Sequence, residues 1–429
     1  MANIWDNPEW FAKETLMQLE NVCVMANLVH RGFESDFQQR SNGWKTGDTI
    51  SIKTPSYART VAGPDLTGDV VDFFESSTDF QITQWRSHIK EFGADEYTWD
   101  TDEASERIIQ PAVVALADYV DRYTHQVAYQ HIPNQVGTPG TYAKDYLTMA
   151  LAWARLDNMA CPPGERYLVL DPMTAAYFMN EMKYLYHQAM VGSAFQKARL
   201  PQNIANFETY ISQNVRTHTC GTSAGRTDIL VDDTVADEDT DINLDQNGAG
   251  AAYTFKAGEI FTIPGVYAVN PVNGDSTGEL RQFVVTADTV FADVGGGDFN
   301  IAPAIYPGTA PWNLRSATAA AAKLPYQNID ALPVNNAQLS IAGSTGGNYK
   351  VPLAFHRNCI SLAIVPIAVP PSIKAVWSKT ISKNGFSITV SRGSTFLTFK
   401  EYIRFDILFD AKVINPDLGC RIASGGTAT

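Results

Sequence analysis

The chain has 429 residues, 45% of them hydrophobic and 18% charged, and a net charge of −14. That length and apolar content suit two or three globular domains and exclude intrinsic disorder. An acidic balance with no Lys/Arg cluster excludes a protein that grips nucleic acid through its phosphates.

From Pro8 to about His30, Phe11, Leu16, Leu19, Val22, Ala26 and Val29 recur at helical spacing, with Pro8 suited to the first turn. Glu9, Glu14 and Glu20 make this helix acidic, either a solvated face or a docking arm for a basic partner. Gly47–Pro55 and Phe80–Trp85 alternate as strands, and the polar stretch between them, with Gly63-Pro64 and Gly68, predicts a projecting two-stranded loop. Asp100 and Glu103 fit a capping box, and Ile108, Ala112, Leu116, Tyr119, Tyr123 and Val127 mark one long helix to Pro133, kinked or split at Pro111. A helix over Ala143–Leu156, a strand over Arg166–Leu170, a helix capped by Asp171-Pro172 and a strand over Phe207–Val215 follow.

From about residue 222 to 345 the composition shifts to Gly, Thr, Asp and short strands, which reads as a separate β domain. Within it, residues 256–270 predict a strand, a turn at Pro264-Gly265 and a second strand. Val376–Lys383 and Phe386–Arg392 flank Asn384-Gly385, the strongest short hairpin signal, and two further alternating segments, Phe396–Lys400 and Ile403–Phe409, come after.

Reactive motifs are weak. Gly221-Thr222-Ser223-Ala224-Gly225 matches a nucleophile elbow, but strand-like Ile229-Leu230-Val231 follows where a helix is needed, so it reads as a domain junction. The run Asp237–Asp245 alternates oxygen ligands as a calcium loop does, yet Ile242 stands where the sharp turn needs Gly and Gly248 where a bidentate Glu belongs. Residues 228–245 hold eight carboxylates without a Lys or Arg and read as a solvated loop or a surface for a basic partner. The seven histidines show no zinc spacing, and no phosphate-cradling loop is present. No catalytic residue, cofactor or metal is therefore expected. Cys23, Cys161, Cys220, Cys359 and Cys420 are odd in number and lack a C-x-x-C pair, so they read as reduced, cytosolic thiols. The N-terminus lacks a basic start and an apolar core, and the apolar run Ile360–Ile373 is broken by prolines and too short for a bilayer. No membrane partner is expected.

Several segments, in order, resemble the major capsid (coat) proteins of tailed double-stranded DNA phages, the short-tailed group in particular. Gly47-Asp48-Thr49-Ile50 followed by Lys53-Thr54-Pro55 is similar to the start of their extended loop, and the helix from about residue 102 to their spine helix. Ile211–Gly221 resembles the strand before an inserted domain, and 256–270 the opening of that domain. Leu353-Ala354-Phe355-His356-Arg357-Asn358 and Arg404–Phe409 through Pro416-Asp417-Leu418 to Arg421 resemble the later family strands. The chain departs at Phe409-Asp410, where an aromatic-Gly pair is common.

The resemblance implies an α+β tailed-phage capsid fold with an inserted all-β, barrel-like domain. Its expected division is an N-terminal arm (1–46), an extended loop (47–85), a peripheral domain with the spine helix (86–140), and an axial domain in two parts (141–222 and 346–372). The insert (223–345) separates those parts, and strands return to the peripheral domain (373–429). It further implies a non-enzymatic subunit forming pentamers and hexamers of an icosahedral shell. The implied partners are a scaffolding protein, a portal protein at one vertex and packaged double-stranded DNA held without specific contacts. Assembly is expected in the host bacterial cytoplasm and residence in the virion. Glu9, Glu14 and Glu20 are the expected scaffold-docking residues; Arg59, Asp65, Asp69, Asp237, Asp239 and Asp241 are candidates for contacts between subunits. The competing reading is a β-rich hydrolase or carbohydrate-binding protein with a second globular domain.

Overall fold

The computed structural model describes residues 8–33, 37, 49–54, 76–93, 109–182, 203–232, 235–236, 238–247, 251–292, 296–307, 326–369, 375–383, 386–395 and 400–426. The chain is α+β and divides into two compact units. One comprises Met1–Ile52, Asp79–His125 and Ile360–Lys412; the other comprises Lys53–Thr78, Gln126–Cys359 and Val413–Thr429.

In the first unit the helix Pro8–Val22 buries Ala12, Thr15, Leu16 and Leu19, a spacing of three and four that lines one face. That face packs on the hairpin of strands Trp377–Lys383 and Phe386–Thr395. The strand Lys400–Val413 runs antiparallel to Phe386–Thr395 and to Gln84–Gly93. Its odd-numbered residues Ile403, Phe405, Ile407, Phe409 and Ala411 form one apolar buried face, while Asp406 and Asp410 are buried on the other. Of the last two alternating segments, Ile403–Phe409 lies within this one strand, and 396–399 lie outside the described residues. The hairpin's register, Lys383 opposite Phe386, agrees with a two-residue connection.

Phe80–Trp85 is not one strand. Ser76–Gln81, paired with Thr49–Thr54, ends before Gln84–Gly93 begins. The break follows from a local hydrogen-bond demand: Thr83 donates its backbone N–H (2.9 Å) and its hydroxyl (2.7 Å) to Asp410, which also accepts from the Tyr123 hydroxyl at 2.9 Å. The long helix is described over Gln110–His131, with Ile109 in π-helical geometry directly before it; the expected kink or split at Pro111 falls at the edge of the described residues, because 94–108 lie outside them. The Asp100–Glu103 capping box lies outside the described residues.

The short helix Met25–Leu28 has no side-chain cap of its own. Asp121 of the long helix supplies one, accepting Val24 N–H at 2.7 Å and Ala26 N–H at 3.1 Å. Burial raises the Asp121 carboxyl to about 6, although these N–H groups act in the opposite direction.

In the second unit a mixed sheet runs Gln135–Val136, Gly419–Ile422, Leu353–His356, Arg166–Leu170, Phe207–Ile211, Asn203–Ile204. The helix Tyr146–Asn158 precedes Arg166–Leu170, and the helix Pro172–Met182 follows it, with Asp171 accepting Thr174 N–H at 3.1 Å as the cap expected. A second six-stranded sheet, antiparallel throughout, runs Ser340–Ile341, Ile260–Val269, Ser276–Val285, Gly297–Ala302, Asp241–Gln246, Ile229–Val231. Its core is a file of rings: Tyr253 on Phe291 (5.0 Å between centroids), Phe255 on Phe299 (4.9 Å), Phe261 on Phe299 (5.3 Å) and Phe261 on Phe283 (5.6 Å). Each such buried ring contributes about 1.5–3 kcal/mol.

Pro264-Gly265 is not the expected turn. Ile260–Val269 is one strand running through it, and its pairing with Ser276–Val285 shifts register between Thr262 and Tyr267. Both residues are exposed, and Gly265 takes φ +84°, so the pair forms a bulge that needs no ladder donor from proline.

Asp121 titrates near 6 in the fold against an ordinary value of 3.8, so the native state holds this proton more tightly than the unfolded chain. Its contribution to stability therefore rises as pH falls from 7 towards 4. Asp121→Asn should flatten that part of the stability–pH curve and leave one of the two N–H groups without an acceptor, at a cost of about 1–3 kcal/mol. Urea denaturation across this pH range measures both effects.

Candidate functional site

The three acidic residues of the first helix do not share one environment. Glu9 is exposed and pairs with Lys379 at 3.2 Å and Lys13 at 4.0 Å, and the Lys379 ammonium is the main cause that lowers its carboxyl. Glu14 is half-buried and accepts a 2.7 Å hydrogen bond from Gln18. Five residues apart on a helix, the two lie about 140° around its axis. The Glu20 side chain lies outside the described residues. The outward stripe carries Glu9, Lys13 and Met17.

Arg59, Asp65, Asp69 and Asp237 also lie outside the described residues. Asp239 caps its own turn by accepting Ala236 N–H at 2.6 Å, and Asp241 is exposed at the start of the strand Asp241–Gln246. In that strand Asp241, Asn243 and Asp245 project to solvent on one face while Ile242 and Leu244 are buried, so their alternation is that of a sheet rather than an ion-wrapping loop. Asp228 is neutralised by Arg226, at 2.9 and 2.5 Å, which holds its carboxyl well below the ordinary range.

One buried polar cluster is not revealed by sequence spacing. It lies where the chain passes from the mixed sheet into the second sheet and returns. Thr217–Thr219 pairs with Asn348–Lys350, Thr219 opposite Asn348. Beside this ladder Arg421 is fully buried, with no carboxylate partner among the described residues: Nη1 donates to Gly258 O (2.6 Å) and Tyr129 O (2.9 Å), and Nη2 to the Tyr349 hydroxyl (3.3 Å). Burial pulls its guanidinium below the ordinary value.

Glu259, equally buried, accepts Gly221 N–H and the Ser223 hydroxyl (2.8 Å), and burial raises its carboxyl. Ser223, the serine of the elbow-like motif, is thus fixed as a donor, and no helix follows it. The His218 ring packs edge-on to Tyr129 (5.9 Å) and Tyr349 (5.3 Å). Burial, and then the Arg421 charge, push His218 down to about 3. Glycine is required twice. A Cβ on Gly258, at φ +95°, would meet the Tyr129 ring at 2.8 Å, and one on Gly221 would stand 2.0 Å from Thr254 O.

A set of side-chain clamps holds the strand Ser276–Val285 and the turn before it. Arg155 pairs with Glu279, and the fully buried Arg281 reaches Asp417 at 2.5 Å. Gln135 and Gln282 exchange hydrogen bonds at 2.7 and 3.0 Å, and Asn270 donates to Asn158 O at 3.0 Å. The only hint in the sequence is the lone Arg281, in a strand whose other inward positions, Phe283 and Val285, are apolar.

Arg421→Met should remove the donor to three buried acceptors at once and cost about 2–4 kcal/mol. Gly258→Ala should cost a similar amount, on the order of 2–3 kcal/mol, through strain and the Tyr129 clash. Denaturant midpoints of the purified subunit measure both.

Three comparisons bear on identity. Residues 6–423 match the family described as P22 coat protein, gene protein 5. The major capsid protein of Acyrthosiphon pisum secondary endosymbiont phage 1 is 20% identical over 391 residues, 87% of this chain and 88% of that protein. Among solved structures, that of Mycobacterium phage Che8 is 12% identical, covers 93% of this chain and 90% of its own, and has a TM-score of 0.48. The CUS-3 coat protein I-domain is 24% identical and covers 27% of this chain and 97% of its own, with a TM-score of 0.19. A coat-family match that takes in the first helix, both units and the final strands is a match to the chain as a whole, and this protein belongs to the P22 coat protein family of phage major capsid proteins.

Proposed function

We propose that this coat subunit assembles with a scaffolding protein into pentamers and hexamers of an icosahedral shell around double-stranded DNA. A portal protein occupies one vertex, assembly takes place in the host bacterial cytoplasm, and the subunit itself carries no catalytic activity. The observation that carries this reading is the coat-family match over residues 6–423. The proposed division is the one read from sequence: arm, extended loop, peripheral domain, two axial parts and the 223–345 insert between them. Heterologous contacts that close produce rings, and a net charge of −14 keeps an enclosed polyanion from sticking to the wall.

The first helix is the proposed scaffold-docking element, through Glu9, Glu14 and Glu20. Glu9 supports this best, because its carboxylate is exposed and already holds one ammonium, that of Lys379, with which a basic scaffold segment would compete. Asp239 and Asp241, with Asp237, form a proposed contact between neighbouring capsomers. Arg59, Asp65 and Asp69, within Ala58–Glu75, form a proposed contact at the tip of the extended loop.

Reversing Glu9, Glu14 and Glu20 to Lys should lower scaffold-directed shell formation in an in vitro assembly assay read by sedimentation; an unchanged yield would exclude this docking site. Deleting residues 58–75 should give soluble subunits that fail to close shells. Normal particles by electron microscopy would count against the loop contact.

A further inference from the structure

We propose that His218, Cys220 and Glu259 form a binding site for a borderline-soft divalent cation of the Zn²⁺ type, a structural staple at the junction of the second unit. Their donor atoms lie within 4.8 Å of one another and all three side chains are buried. Among the described residues they form the one such group of three His, Cys, Asp or Glu side chains. The donor set of one imidazole nitrogen, one thiolate and one carboxylate oxygen suits Zn²⁺ better than Ca²⁺ or Mg²⁺, which take oxygen.

Backbone geometry produces the convergence. His218 and Cys220 alternate with exposed Thr217 and Thr219, so both point inward from one edge of the Thr217–Thr219 strand. Glu259 is presented by a tight turn in which its N–H donates to Lys256 O at 3.0 Å and Gly258 takes φ +95°. Closing the three donors around an ion with bonds of about 2.0–2.3 Å requires a contraction of roughly 1 Å.

A second, independent observation points to a ligand. His218 is 1% exposed, and its Nε2 has no hydrogen-bond partner, a costly state for a buried polar atom. An imidazole that stays neutral keeps a lone pair free for a cation. Glu259 is already oriented as a ligating carboxylate should be, with Gly221 N–H on one oxygen and the Ser223 hydroxyl on the other. Each oxygen retains a lone pair for metal.

The charges balance. The thiolate and the carboxylate together cancel a dication, so the occupied site adds no net charge beside the buried Arg421 guanidinium. Binding releases the Cys220 proton to solvent and leaves the fourth position to water. A bound ion would join the strand that leads out of the mixed sheet to the 256–259 turn of the second sheet, a cross-link between segments distant in sequence.

The test uses the full-length protein, treated with chelator and then titrated with Co²⁺ and, separately, with Zn²⁺. The expected result is about one ion per chain, a cobalt–thiolate charge-transfer absorption and a melting temperature several degrees higher with Zn²⁺ than with chelator. In Cys220→Ser and His218→Gln the Zn²⁺ affinity should fall on the order of 100-fold or more, and Cys220→Ser should lose the thiolate absorption. Folded wild-type protein without that absorption overturns the proposal. So does an absorption that persists in Cys220→Ser, or a melting temperature indifferent to Zn²⁺ and chelator. The wild-type titration decides the matter even where a variant fails to fold.

Discussion

The second unit depends on keeping the Arg421 charge out of water with no counter-ion among the described residues. An unpaired buried guanidinium is costly, and two backbone carbonyls and one phenol hydroxyl offset that cost here. Those acceptors come from three places in the chain: Tyr129 in the long helix, Gly258 in the turn before the strand Ile260–Val269, and Tyr349 in the returning ladder. One cation thereby fixes the end of the helix, the beginning of the second sheet and the return of the chain. Glu259 does the complementary work with a negative group, gathering Gly221 and Ser223 on the way out. The glycines at 221 and 258 allow the backbones to approach closely enough for these bonds to form.

The first unit applies the same economy through carboxylates. Asp121 caps a helix nearly a hundred residues away in sequence, and Asp410 collects Thr83 and Tyr123. The Asp410 side chain organises the break between Ser76–Gln81 and Gln84–Gly93. Such internal fixings set the angle of whole elements. A helix or strand positioned by several buried hydrogen bonds presents its outer face at one angle in every copy.

Much of the secondary structure was legible because it rests on short-range patterns. The strand Arg166–Leu170, the Asp171-Pro172 helix start and the hairpin around 384–385 follow from hydrophobic period and turn chemistry, and the structure has all three. The errors share one origin. Pro264-Gly265 has the composition of a turn but serves as a bulge, because the partner strand Ser276–Val285 supplies a ladder on both sides of it. Phe80–Trp85 alternates like one strand but is interrupted, because Asp410, more than three hundred residues away, takes the hydrogen bonds of Thr83.

By itself, the sequence determined the α+β class, the order of most elements and, through segments in family order, the kind of protein this is. Those properties are written in neighbouring residues: periodicity, caps and motifs a few positions long. Only the tertiary structure decided which charges are buried, which carboxylates are already paired, and that His218, Cys220 and Glu259 converge. No local pattern links positions 218 and 259, or 129 and 421. Their proximity is a product of sheet order and of the turn at Gly258, and both come into being only when the chain has folded.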